Sequence, residues 1–128
     1  MNAESFFREM FHTIWQGYDI SRIGDYYASN FEETIYTCNE QCAPDELHMD
    51  YQYMVEQAAF HKEHYRDTVL EIKKIVAGEN NHISVNFYAS SIERQTGKMR
   101  SRYVCGIWRL NSENKIDYVW AVVTPYFP

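Results

Sequence analysis

The stretch from Met99 to Val123 decides the fold, and it reads MRSRYVCGIWRL, then NSEN, then KIDYVWAVV. Two runs rich in β-branched and aromatic residues flank four turn-forming residues, which predicts a β-hairpin. Side chains alternate between the two faces of a strand. On that alternation one face of the hairpin carries Arg100, Arg102, Val104, Gly106, Trp108, Leu110, Val119, Ala121 and Val123. The opposite face also carries large apolar groups, so we expect helices to cover one face and a partner subunit the other.

Composition favours a single folded domain spanning residues 1–128. Of the 128 residues 45% are hydrophobic and 16% aromatic, which excludes a disordered chain. The formal charge is −6, with no block of like charge, so neither nucleic acid nor a membrane surface is an expected partner. The apolar runs are shorter than a membrane span and the N-terminus has no signal-peptide pattern, so we expect a cytoplasmic protein.

The cysteines at positions 38, 42 and 105 are odd in number, which favours reduced thiols. Cys38, Cys42 and His48 have some of the spacing of a zinc site, but a structural zinc ion needs four ligands and a fourth is not evident. Glycine-rich phosphate loops, nucleophile elbows and His-Glu zinc motifs are absent from the sequence. The sequence therefore predicts neither a metal nor a cofactor.

Periodicity along the chain predicts an α+β fold. Helices are expected over residues 4–16, 20–28 and 50–65, and strands over residues 31–37, 69–77, 82–93, 99–110 and 115–123. Residues 38–49 are polar and are interpreted as a long loop, which in a compact domain is often a lid or a pocket rim.

Three stretches in this order carry a family resemblance: IWQGYDISRIGDYYASNF, YMVEQAAFHKEHYRDTVLEI and GKMRSRYVCGIWRLNSENKIDYVW. Together they cover most of the chain, and they resemble the nuclear transport factor 2-like superfamily, in particular its SnoaL-like (polyketide cyclase-like) branch. The resemblance implies a strongly curved mixed or antiparallel sheet wrapped around three helices, which makes a cone with a pocket at its open end. It also implies a homodimer that packs through the convex sheet face.

The resemblance also locates the positions at which steroid isomerases and polyketide cyclases of this fold carry catalytic groups. When the chain is matched through its Gly-Tyr-Asp turn at residues 17–19, those positions are Phe11, Ile35 or Tyr36, Gly106 and Ala121. None of these residues can do the same work, so the best-known chemistries of the superfamily are not predicted.

The predicted pocket is mainly apolar, as small-molecule sites usually are. Its expected ligand-binding residues are Phe11, Trp15, Ile35, Trp108, Val119 and Ala121, with Arg102 as the polar exception. A slip of one residue in the strands would exchange the two faces and replace this lining.

Three side chains are the candidate catalytic groups. His61 could transfer protons near neutral pH, Tyr36 could hydrogen-bond a ligand carbonyl, and Arg102 could stabilise a carboxylate or an enolate. Each has a structural alternative: a solvated helix face for the histidine, a rim aromatic for the tyrosine, and an ion pair with Glu93 for the arginine. Of Glu32 and Glu33, which alternate across one strand, at most one can enter the pocket, where burial would raise its pKa.

Three functions fit these observations. The first is a domain that binds a small apolar or aromatic molecule without the usual catalytic carboxylates. The second is a cofactor-free isomerase, cyclase or lyase that uses acid-base chemistry. The third is a dimeric interaction module whose cone is filled by its own side chains.

Overall fold

The computed structural model describes residues 1–39, 41 and 43–127. Its helices are α1 (Ala3–Met10), a π-helical continuation (Phe11–Gln16), a 3-10 turn (Ile20–Arg22), α2 (Ile23–Tyr26) and α3 (Tyr51–His64). Its strands are β1 (Tyr27–Cys38), β2 (Pro44–Asp50), β3 (Tyr65–Ala77), β4 (His82–Glu93), β5 (Met99–Leu110) and β6 (Ile116–Val123). No helix of the described residues is long and apolar enough to cross a membrane.

The six strands form one open mixed sheet in the order β2-β1-β6-β5-β4-β3. Neighbouring strands are antiparallel, apart from the parallel pair β1 and β6. This pairing brings the N-terminal half of the chain beside the hairpin of β5 and β6. The helices pack on one face of the sheet, so the predicted α+β cone is confirmed.

The facing of the hairpin is also as predicted. Trp108 and Val119 are buried beneath the helices, whereas Tyr103, Ile107 and Val122 are about half exposed on the other face. We call the helix-covered side the concave face and the other side the convex face. The register is fixed because a shift of one residue would expose the buried set.

Two sequence predictions about the first half of the chain are wrong. The predicted loop, residues 38–49, contains most of a strand, because residues 44–50 form β2, which pairs with β1 from Glu32↔Asp50 to Cys38↔Pro44. This edge strand is polar and mostly exposed, so its sequence has no alternating apolar pattern. Its proline, Pro44, is the first residue of the strand, a position at which an edge strand tolerates proline. Cys42 lies outside the described residues.

The second expected helix is shorter than predicted. It stops at Tyr26, and β1 begins at Tyr27 rather than at residue 31. Tyr27 and Phe31 are buried with their rings edge to face at 5.0 Å, so tertiary packing overrides the local helical pattern of residues 27 and 28.

Candidate functional site

Glu33 is a partly buried carboxylate on the concave face. It pairs with Val119 of β6 and Met49 of β2, so its side chain lies on the same side of the sheet as the buried Val119. Desolvation raises the pKa of Glu33 to about 7, and the positive charge of Arg102 offsets part of that rise. The residue nevertheless keeps some contact with solvent. A group that is desolvated and still accessible is typical of a concave site.

Arg102 lies on the same face, on β5 opposite Ala89. Its guanidinium stacks on the ring of Tyr126 at 4.6 Å from the ring centre. The sequence alternative, a pair with Glu93, is taken by another residue, because Arg100 lies 3.4 Å from the Glu93 carboxylate. Within the described ranges no carboxylate lies within salt-bridge distance of Arg102, so its charge is available to a bound anion.

His61 is on the last turns of α3, and the charge of Arg102 reaches it as well. Burial, with a smaller contribution from Arg102, lowers the pKa of His61 to about 4, so the imidazole is neutral at pH 7. Its Nε2 lies 2.8 Å from Thr68 Oγ1. The ring stacks on Tyr65 at 5.2 Å and lies 5.6 Å from the ring of Tyr18. These contacts make the imidazole a fixed, uncharged group.

The predicted apolar lining divides into two sets. Phe11, Trp108, Val119 and Ala121 are each at most 5% exposed and belong to the main hydrophobic core. Trp15 and Ile35 pack against that core but keep partial exposure. Because only the second set keeps accessible surface, Trp15 and Ile35 are the two residues of this predicted apolar lining that a ligand can reach in this conformation.

The indole nitrogen of Trp15 is already used. It donates a hydrogen bond to Tyr27 Oη at 3.4 Å, and Tyr27 in turn donates to Met10 Sδ at 3.6 Å. Trp15 therefore presents only its apolar ring surface to the site.

Tyr36 is placed away from this group. It pairs with Val122 of β6 and is 43% exposed on the convex face, opposite to the side on which Ile35 lies. Its hydroxyl therefore takes no part in the function proposed below.

Glu33 also lines a surface cleft. This cleft of about 430 Å³ lies where β2 turns into α3, and its wall is formed by Glu32, Glu33, His48, Met49, Asp50, Tyr53 and Tyr118. A second depression, of about 360 Å³, lies at the other end of the sheet between Lys98, Met99, Arg100, Tyr126 and Phe127. The described residues hold no group of three or more histidine, cysteine or acidic side chains suited to a metal.

Sequence reasoning did not select Glu33, Tyr18 or Thr68. The resemblance to steroid isomerases of this fold puts the catalytic base at residue 35 or 36. Glu33 lies two residues before Ile35, on the same face of the strand. The alternation of the two glutamates was the available signal, but it did not say which of them faces inward. Nothing in the sequence marks Thr68 as a hydrogen-bonding centre.

Solved structures with similar folds include a candidate polyketide cyclase from Acidithiobacillus ferrooxidans, at TM-score 0.70 and 12% identity, covering 96% of this chain and 91% of that one. SalBIII, an epoxide hydrolase/cyclase-like enzyme of pyran ring formation in the polyether salinomycin, matches at TM-score 0.70 and 15% identity over 94% and 88% of the two chains. A protein from Catenulispora acidiphila with a ketosteroid isomerase-like fold, solved with trimethylamine, matches at TM-score 0.65 and 10% identity over 88% and 81%. No protein-family model matches the sequence, and no curated protein matches it. The chain therefore shares the α+β fold of these proteins, the nuclear transport factor 2-like fold.

Proposed function

We propose that the protein binds a small apolar or aromatic molecule on the concave face of its sheet. The observation that carries the proposal is that Glu33 and Arg102 both lie on that face without a salt-bridge partner. No salt bridge joins them to each other or to other described residues. Unpaired charges beside apolar groups cost free energy, and a polar group on an otherwise apolar or aromatic ligand would satisfy them. Ile35 and Trp15 supply partly exposed apolar surface on the same side. The structural neighbours include a candidate polyketide cyclase and SalBIII, which is described as an enzyme of pyran ring formation in a polyether.

Native mass spectrometry of the purified protein, followed by denaturing release, tests for a retained molecule. Aromatic acids, steroids and polyketide-like compounds are then titrated by calorimetry. Ile35→Trp should weaken binding because the larger ring occupies concave space. Tyr36→Trp is the matched control, because it introduces the same side chain at the next residue, which lies on the opposite face. Equal effects of the two variants would place the ligand elsewhere.

Glu33 favours a second function, a cofactor-free isomerase, cyclase or lyase. A carboxyl group with a pKa of about 7 is divided between its acid and base forms at neutral pH, as proton transfer requires. In such a reaction Glu33 takes a proton from carbon or oxygen of the substrate and returns it at another position. Arg102 stabilises the negative charge that develops on oxygen. No net oxidation occurs, so this chemistry needs no cofactor.

Solvent-deuterium exchange into a bound compound tests this second function. The wild-type protein should catalyse exchange, and Glu33→Gln should bind the compound but lose most of the exchange. The matched control is Glu32→Gln, which alters an exposed carboxylate on the opposite face of β1. Exchange that survives in Glu33→Gln would contradict the assignment.

The convex face supports the homodimer proposal. Its exposed large side chains include Tyr36, Val69, Val76, Tyr103, Ile107 and Val122, each between 43% and 57% exposed. Large apolar side chains exposed on one face in this number are typical of an interface. The cytoplasmic location and the absence of a cofactor stay predictions from the sequence.

A further inference from the structure

We infer that Tyr18, Thr68 and Ser91 hold His61 as the neutral tautomer that carries its proton on Nδ1, and that this N–H donates a hydrogen bond to an oxygen of the molecule bound on the concave face. The second half rests on the proposed binding function. The first half is a property of the free protein. Tyr18, Thr68 and Ser91 are positioning residues, because they act through His61.

The four side chains meet at one hydroxyl group. Thr68 Oγ1 lies 2.6 Å from Tyr18 Oη, 2.8 Å from His61 Nε2 and 2.9 Å from Ser91 Oγ. The backbone N–H of Thr68 donates to Tyr18 Oη at 3.0 Å. Thr68 and Ser91 are at most 9% exposed, so their hydroxyl hydrogens have little access to water.

Counting hydrogens decides between the tautomers. A hydroxyl oxygen accepts two hydrogen bonds and donates one. If Thr68 donates to His61 Nε2, it can accept from both Tyr18 and Ser91, and all three hydroxyl hydrogens have acceptors. If Thr68 donates to Ser91 instead, the buried Ser91 hydroxyl hydrogen has no acceptor among the described side-chain contacts. If Thr68 donates to Tyr18, the hydroxyl hydrogen of Tyr18, which is partly exposed, has only water as an acceptor.

The saturated arrangement is favoured because a buried hydroxyl that loses its acceptor costs free energy. In that arrangement Nε2 of His61 accepts, so a neutral imidazole must carry its proton on Nδ1. The lowered pKa of His61 agrees, since the protonated form would have to donate from Nε2.

The ring has little freedom to turn away from this contact. His61 is stacked on Tyr65 at an interplanar angle of 21°, and it meets the edge of Trp15 at 6.3 Å. The residues that bring Tyr18 and Thr68 together have unusual backbones: Tyr18 has φ 58° and Asp67 has φ 52°. Non-glycine residues in this region are strained and persist where the surrounding contacts hold them.

Nδ1 of His61 is free to bind a ligand. It has no hydrogen-bond partner among the described residues, and it is not a buried orphan, because Asn86 Oδ1 is the one such side-chain atom in the described ranges. The charge of Arg102 acts on the same imidazole. A neutral N–H donor that feels the charge of a guanidinium without a carboxylate partner among the described residues fits a carboxylate, enolate or polarised carbonyl oxygen, and disfavours a cationic ligand.

Long-range ¹H–¹⁵N NMR of the histidine side chains in the ligand-free protein tests the tautomer at pH 7. We expect a neutral His61 with its proton on Nδ1 in the wild type and in Thr68→Ser, which keeps the hydroxyl. Thr68→Val has nearly the same shape without the donor, so its Nε2–H form should increase. A wild-type spectrum with the proton on Nε2, or with a charged ring, overturns the inference whether or not Thr68→Val folds.

Benzoate and its neutral analogue benzamide test the donor role. Benzoate should bind the Thr68→Val protein about tenfold more weakly than the wild type, as expected for loss of a hydrogen bond to a charged group, with near wild-type affinity in Thr68→Ser. The affinity for benzamide should fall less than the affinity for benzoate in Thr68→Val. Unchanged benzoate affinity in Thr68→Val overturns the donor role and leaves the binding function standing. A wild type that binds neither compound contradicts the binding function, and the tautomer spectrum is still decisive for the first half.

Discussion

Glu33→Gln should change how stability depends on pH. The pKa of Glu33 is 4.5 in an unfolded chain and about 7 in the folded protein, so the folded state holds this proton more tightly. A raised carboxyl pKa does not lower the free energy of unfolding below pH 4.5. It lowers the free energy of unfolding increasingly as the pH rises toward 7. The wild type therefore loses stability over this interval through Glu33, and the glutamine variant does not.

The size of the effect follows from the same two values. A difference of one pH unit corresponds to about 1.4 kcal/mol, so the full difference is worth about 3 kcal/mol. Because the carboxyl keeps some contact with solvent, we expect about 2 to 3 kcal/mol. Glu33→Gln should gain this much unfolding free energy relative to the wild type between pH 4 and pH 8.

Urea denaturation at intervals from pH 4 to pH 8 measures this gain, because urea is uncharged and does not screen the site. Comparing the change between two pH values cancels any constant effect of the amide. Glu32→Gln is the control, and its difference from the wild type should vary much less with pH. If the curves of Glu33→Gln and wild type stay parallel, Glu33 is not desolvated and the proposed site loses its acid-base group.

Three further outcomes are expected. Arg102→Leu should raise the NMR titration midpoint of Glu33, because the guanidinium favours the carboxylate; an unchanged midpoint would show that the two groups are too far apart to interact. Gly106→Ala should destabilise the protein by about 1 to 3 kcal/mol in thermal unfolding, because the added Cβ would lie 2.7 Å from the carbonyl oxygen of Trp120; wild-type stability would mean that the strands separate easily there. Ile107→Asp should convert a dimer into a monomer in analytical ultracentrifugation while the far-ultraviolet circular dichroism is retained, because it places a charge on the convex face; a variant that remains dimeric would exclude this face.

The second half of the fold could be read from the sequence because each strand there has a strong alternating pattern. The bounds of β4 and β5 agree with the predicted ones, and β6 begins one residue later than predicted. The facing of these strands follows from alternate burial, as at Val104 and Tyr103. The edge strand β2 could not be read because it has no apolar side to bury. Its pairing with β1 depends on backbone hydrogen bonds that leave no pattern in residue type.

The candidate site could be predicted only in part, for a different reason. Alternation put Arg102 on the concave face, and the helical position of His61 made it a candidate. The electrostatic roles of both residues depend on distances across the fold. His61 was expected to transfer protons, whereas burial favours its neutral form and leaves Glu33 with the pKa suited to that work.

We propose that a ligand binds the concave face beside Glu33. Chemical-shift mapping with a bound aromatic acid is the sharpest test of this site, because neighbouring residues of one strand lie on opposite faces and serve as internal controls. We expect the largest side-chain shifts at Glu33, Ile35 and Arg102, with small shifts at Tyr36 and Val122. Shifts concentrated on Tyr36 and Val122 would contradict it and assign binding to the convex face.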